Sequence, residues 1–260
     1  MSQIISIANQ KGGVGKSTTA QALGAGLFLK GYKSLLIDLD PQGNTTYTTR
    51  TGSTGSTTYE LLTNKAKAKD MIIKTDEGDV IPAGRNLSRA DLEITTTGKE
   101  YRLREALDPI REDYDFIIID TPPALGILTV NALAASDFVI IPAQADIYSL
   151  QGIGQLIETM DAIKKYCNRD LQLQGILLTR HNSRTILSKD MTDMIEETAK
   201  ELNTFVYKSM IREATAIKEA QANRQTIFKY APKSNVSDDY TAFINELIEK
   251  GELNNGKKEF

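Results

Sequence analysis

Short apolar runs alternate with longer stretches in which apolar residues return about every turn of a helix. Residues 4, 5, 7 and 8 (Ile, Ile, Ile, Ala) form the first run, and residues 34–39 form the second. Between them, Ala20, Leu23 and Leu27 recur at helical spacing, and Gly31 ends the pattern. This predicts a strand, a glycine loop, a helix and a second strand, which is a βαβ unit. Residues 116–119 (FIII) and 138–141 (FVII) are uninterrupted apolar runs suited to the middle of a parallel sheet. Helices are predicted over 130–135, 150–166, 186–202, 215–223 and 238–250, and short ones over 59–62, 92–94 and 101–110. Further strands are predicted over 80–81, 173–178 and 205–207. The alternation implies an α/β fold with a mostly parallel central sheet covered by helices on both faces. There is no internal repeat or linker. Residues 1–250 are read as one domain and 251–260 as a polar tail.

Composition narrows the chemistry. The chain has 260 residues, 40% of them hydrophobic, which is enough for a full core. Its one cysteine, Cys167, excludes an internal disulfide framework and a multi-cysteine metal site, and its one histidine, His181, excludes a His-rich zinc site. No apolar run is long enough to span a bilayer, and no apolar signal segment precedes the first glycine loop. A cytoplasmic protein is expected.

Residues 10–18 read QKGGVGKST. The phosphate-loop pattern GxxxxGK[ST] is met at Gly15, Lys16 and Ser17, but its first glycine is replaced by Gln10. The strand before and the helix after are the required context. Gly12, Gly13, Val14 and Gly15 let backbone N–H groups turn towards phosphate oxygens, and the helix start adds its positive end. Lys16 reaches the terminal phosphates, Ser17 ligates magnesium, and Thr18 reaches the α-phosphate side. Lys11 is a second lysine that an ordinary loop does not need. It is either a solvated loop residue or one that points towards a nucleotide held by another subunit. A dinucleotide fold is disfavoured, because the third glycine of GxGxxG would fall on Thr18.

Asp38, Asp40 and Asp120 follow predicted strands directly, at the ends where open α/β sheets bind ligands. Asp120 after FIII is the Walker-B candidate, Asp38 is placed for the same magnesium shell, and Asp40 is placed to orient a water on the γ-phosphate. A structural or capping role is the alternative for each.

The runs KGGVGKST from Lys11, DLDPQGN from Asp38 and IIIDTPP from Ile117 together resemble the ParA/Soj family of DNA-partition ATPases, relatives of MinD. The likeness continues through LGILTVNAL, IPAQADIYSLQGIGQL and IFKYAPKS and covers nearly the whole chain. It implies a deviant Walker-A ATPase using ATP and Mg2+. Lys11 matches the signature lysine that crosses a nucleotide-sandwich homodimer, Lys16 and Ser17 the loop residues, Asp40 the acid needed for hydrolysis, and Asp120 Walker B. It further implies ATP-dependent dimers that bind double-stranded DNA non-specifically on the nucleoid. A ParB-class or other centromere-binding adaptor would stimulate an otherwise slow hydrolysis and release them. Residues 38–44 and the TPP segment from Thr121 would be switches.

Residues 208–233 carry six cations and two anions in a chain of net charge −3. Such a stripe suits a DNA backbone, although a solvated surface would carry the same charges. Lys218 and Arg224 there, with Arg184 and Lys189 at the start of a long helix, are the DNA-contact candidates. Arg212, Glu213 and Ala216 depart from the family pattern of a proline and two arginines. The phosphate loop begins too early for an operator-binding helix-turn-helix domain before it. Acidic residues on the last helix argue against membrane binding of the MinD type. The glycine loop and the acids would also suit a metabolic P-loop enzyme of the dethiobiotin synthetase type, or a switch that binds ATP without cleaving it.

Overall fold

The computed structural model describes residues 2–52, 55–182 and 185–254. Among the described residues, seven strands form one sheet: β1 Gln3–Ile7, β2 Ser34–Asp38, β3 Ile73–Thr75, β4 Gly78–Ile81, β5 Phe116–Asp120, β6 Phe138–Ala143 and β7 Gln172–Leu178. Their order is β3-β4-β2-β5-β1-β6-β7, with β3 antiparallel at one edge and the other neighbours parallel. Helices α1 Lys16–Leu29, α2 Asn44–Thr48, α3 Thr58–Leu62 and α4 Ala68–Met71 come from the first half of the chain. Next come α5 Ala90–Glu93, α6 Arg102–Leu107, α7 Ile127–Ala135 and α8 Ile147–Tyr166. The last are α9 Ile186–Glu201, α10 Thr215–Ala222, α11 Ile227–Tyr230 and α12 Asn235–Asn254.

The apolar runs are continuous because both faces of the sheet are covered. On one face Ile5, Ile7, Leu36 and Ile118 pack with Leu23 and Leu27 of α1 and with Phe243 and Ile244 of α12. On the other, Ile4, Leu35, Ile117 and Ile119 meet α3, α6 and α7. Val139, Ile141 and Ile176 meet α8 and α9 on that side of the sheet's far half. Alternate residues of one strand thus enter different cores. Close packing fixes Gly26 of α1: a Cβ there would lie 2.2 Å from the Ile244 side chain.

Strand β3 and helices α4 and α11 were not predicted from the sequence, and three further differences concern residues 205–207, α2 and α12. Residues 205–207 form an isolated bridge between Val206 and Ile176 rather than a strand. Glu246 of α12 takes the next two backbone N–H groups, of Lys208 and Ser209, at 3.0 Å each, which ends the pairing. Helix α2 forms in a Thr-rich stretch for which no element was predicted, after Gly43 in the left-handed region at φ 63°. Helix α12 starts at Asn235 and continues past residue 250 to Asn254, so the start of the predicted tail is helical.

Candidate functional site

Strand order makes the site. β5 lies between β1 and β2, so Asp120 pairs in register with both Ile7 and Asp38. The chain leaves β1 for the phosphate loop at this edge, and the two carboxylates meet it there. Val14 is fully buried, and its carbonyl accepts from the Thr179 hydroxyl after β7 at 2.8 Å. Gly13 and Gly15 have φ of 77° and 84°, a backbone that side-chain residues rarely adopt and that turns successive N–H groups inward.

A cavity of about 640 Å³ opens over this edge, lined by Gly12, Gly13, Gly15, Lys16, Ser17, Thr18 and Asp40. Tyr47 and Thr48 of α2 close one part of it, and Thr179, Ile211, Ile217 and Gln221 close another. Lys16 is 7% exposed, and its ammonium donates to the Lys11 carbonyl at 3.1 Å. Burial lowers the Lys16 pKa, while Asp120 and Asp40 oppose that shift. Asp38 and Asp120 are fully buried, and burial raises both above the ordinary carboxylate range. The neighbouring Asp38 adds to the cost of ionising Asp120, and Asp40 raises both.

Helix α2 supplies partners that the sequence reading did not single out. The Thr45 hydroxyl donates to Asp120 Oδ2 at 2.7 Å and lies 3.1 Å from Gln21 Nε2. The Thr46 hydroxyl and N–H both donate to Asp38 Oδ2, at 2.7 and 2.8 Å. Asp40 Oδ1 accepts from the Gln42 N–H at 2.9 Å. The signal for this was the run NTTYTT directly after the acids: hydroxyls one turn from buried carboxylates are ready donors.

Lys11 does not face its own cavity partners. Its ammonium sits 2.5 Å from Asp146 Oδ2 and over the Tyr148 ring. Asp146 is also the N-cap of α8, accepting from the Ser149 N–H at 2.9 Å. Burial works to raise the Asp146 pKa, but Lys11 and the capped N–H groups outweigh it and hold the carboxyl below its usual range.

Within the described residues, the DNA-contact candidates sit on α9, on α10 and just after α10. Arg184 lies outside the described residues. Lys189 is exposed on α9 beside the exposed acids Asp190, Asp193, Glu196 and Glu197. Lys218 is exposed at the cavity rim. Arg224 is exposed but donates to the Tyr47 carbonyl. In the same basic segment Arg212 pairs with Asp239, and Lys229 pairs with Asp76.

The site fits a nucleotide with magnesium. Among the described residues, Asp120 Oδ1 is buried and has no hydrogen-bond partner, which leaves an oxygen for a cation or its water. The positive-φ glycines and buried Lys16 provide the matching phosphate cradle. A strand, this loop, α1 and paired acids at strand ends define a P-loop ATPase.

The chain matches the AAA domain family (AAA_31) over residues 2–173 and the NifH/frxC family of 4Fe-4S iron sulfur cluster binding proteins over residues 110–257. A four-iron cluster takes four thiolates, and Cys167 is the chain's one cysteine, so the cluster does not fit these residues. Sporulation initiation inhibitor protein Soj of Bacillus subtilis is 41% identical over 256 residues, covering 96% of this chain and all of that protein. Cobyrinic acid a,c-diamide synthase from Mycobacterium smegmatis, solved with bound ADP and magnesium, superposes with a TM-score of 0.84 at 32% identity, covering 99% of this chain and 98% of the other. A plasmid partition protein from Borrelia burgdorferi bound to AMPPNP superposes with a TM-score of 0.78 at 27% identity, covering 98% and 100%. The chain belongs to the ParA/Soj family of P-loop ATPases. Among the described residues, no helix is long and apolar enough to cross a membrane.

Proposed function

We propose that the protein is a DNA-partition ATPase that dimerises around two ATP molecules, binds double-stranded DNA non-specifically on the nucleoid in the cytoplasm, and is released when an adaptor of the centromere-binding class stimulates hydrolysis. The observation that carries this reading is the pair of lysines on one loop. Lys16 is buried in the cradle, while Lys11 is held outside it by Asp146. A single phosphate site needs one such cation; a second, aimed away, suits the phosphates of a second copy.

The residues divide the work. Residues 12–18 bind the phosphates, with Lys16 as the point charge on the terminal ones. Ser17, Asp120 and Asp38 would hold magnesium directly or through its waters, and the ion would neutralise charge developing on the phosphoryl oxygens. Asp40 orients the attacking water at the open side of the cavity. Hydrolysis removes the γ-phosphate from the residues leading into α2, so product release and dimer separation are linked. Residues 1–250 act as one unit in this scheme. Lys189, Lys218 and Arg184 remain the DNA-facing candidates; Arg224 is the weakest, because its guanidinium is engaged by α2.

DNA co-sedimentation with no nucleotide, ADP or ATP tests the reading. DNA retention should require ATP in the intact protein and be lost in both Lys11→Ala and Lys16→Ala. Retention that ignores nucleotide in all three proteins overturns it. ATP turnover that depends on a small-molecule acceptor would instead favour a metabolic enzyme.

A further inference from the structure

Two arginines just past the ends of α2 and α10 exchange contacts. Arg50 follows α2 with φ 60°, and Arg224 follows α10 with φ 54°. Non-glycine residues are uncommon in this left-handed region, and surrounding contacts must hold them there. Arg50 donates from Nε to the Arg224 carbonyl at 3.1 Å and from Nη2 to the Asn223 carbonyl at 3.0 Å. Arg224 donates from Nε to the Tyr47 carbonyl at 3.0 Å, and its guanidinium lies 4.7 Å from the centre of the Tyr47 ring. Each cation therefore serves carbonyls at the end of the other's helix, where the last C=O groups lack intrahelical partners. Planar guanidinium groups suit this paired and stacked geometry.

The two helices belong to different parts of the nucleotide site. Through Thr45 and Thr46, α2 holds Asp120 and Asp38. Through Gln221, α10 reaches the Thr18 hydroxyl of α1 at 3.0 Å. Tyr47 and Gln221 line the same cavity, but neither Arg50 nor Arg224 does. Each arginine acts through the helix that it grips.

We propose that Arg50 and Arg224 are positioning residues that form a reciprocal clamp, so that a change at the acid pair, carried by α2, is passed to α10. This rests on the ATPase reading above. The link is made of exposed polar contacts rather than core packing, so it can be remade without opening an apolar interface. It also places Lys218, which α10 carries to the surface, under control of the γ-phosphate side of the site.

Arg50→Gly and Arg224→Gly test the clamp, because glycine adopts the left-handed backbone without strain and removes the side chain that makes the contacts. Amide hydrogen exchange of the full chain is followed with magnesium plus AMPPNP and with magnesium plus ADP, after melting transitions show that each variant folds. The double variant decides, since each single one leaves the other arginine's bonds to backbone carbonyls in place. The quantity read is the AMPPNP-minus-ADP difference over residues 215–222. ADP lacks the γ-phosphate, so this difference reports what arrives from α2 rather than direct contact with the base and sugar. The intact protein should show a difference at both 44–48 and 215–222. The double variant should keep the first and lose the second, and each single variant should lose part of the second. A difference at 215–222 that survives undiminished in the double variant overturns the clamp. So does an intact protein that binds AMPPNP and responds at 44–48 alone. An intact protein that binds neither nucleotide overturns the ATPase reading, and the clamp with it.

Discussion

The Lys11 ammonium and the Asp146 carboxylate lie 2.5 Å apart, with the lysine about one quarter exposed and the aspartate about one third. The contact parks the lysine on the first turn of α8, next to the loop whose phosphates it does not serve. If Lys11 crosses to a second copy, this pair must break first. Partly exposed ion pairs contribute up to about 1 kcal/mol, or about fivefold in an equilibrium constant. Asp146→Asn keeps the α8 cap and removes the charge. ATP-dependent self-association, read by analytical ultracentrifugation, should tighten by up to about fivefold. Weaker association in that variant would mean that Asp146 helps the dimer rather than restraining Lys11.

Thr45 presents a different balance. Its hydroxyl is buried and donates to Asp120 Oδ2, while Asp120 Oδ1 has no partner. Thr45→Val is nearly isosteric and removes the hydroxyl that donates to Asp120 Oδ2. Such a loss at a buried group costs about 1–3 kcal/mol. Urea unfolding of the nucleotide-free protein should show a loss of that size, and Thr45→Ser should recover most of it. Equal stability of the valine and serine variants would remove the hydroxyl from the account of Asp120.

Much of this site was legible in the residue order. The glycine loop, Lys16, and the acids after apolar runs follow from local pattern, because a strand end and a helix start are local events. The sheet places Asp120 beside Asp38 through the insertion of β5 between β1 and β2, which no local pattern states. Asp146 was hidden for the same reason: it lies 135 positions from Lys11. Arg224 was read from charge alone as a DNA contact, whereas its Nε donates to the Tyr47 carbonyl. Helix α2 was missed because threonines favour helices weakly. Its formation follows from Gly43 and from carboxylates that hold its hydroxyls.

His181 gives a pH dependence that a single resonance can report, since the chain has one histidine. Its Nε2 lies 3.3 Å from the Thr192 hydroxyl, and burial lowers its pKa. The charged form is disfavoured in the folded state. Stability is therefore complete above the unfolded value near 6.5 and is lost as pH falls through that value towards the lower folded one. NMR titration should place the imidazole below the ordinary value. His181→Gln should remove the contribution to stability that rises with pH between about 5 and 7. A folded pKa at or above the ordinary value would reverse the sign and defeat the prediction.

Asp40 separates binding from turnover. It is 6% exposed, lines the cavity, and is anchored by the Gln42 N–H rather than by the phosphate loop. Its backbone N–H donates to Asp38 Oδ1 at 3.1 Å, so its removal leaves Thr45 and Thr46 on the two buried acids. Asp40→Ala should therefore keep MgATP affinity while losing the group that orients the attacking water. Positioned acid–base groups contribute about 10²–10⁴-fold to rate. Phosphate release in a single turnover should fall by that order, with equilibrium ATP binding close to that of the intact protein. Lys16→Ala supplies the contrast, because it should lose binding itself. Turnover by Asp40→Ala within about tenfold of the intact protein, below the lower end of that range, would transfer the catalytic role to another residue of the cavity.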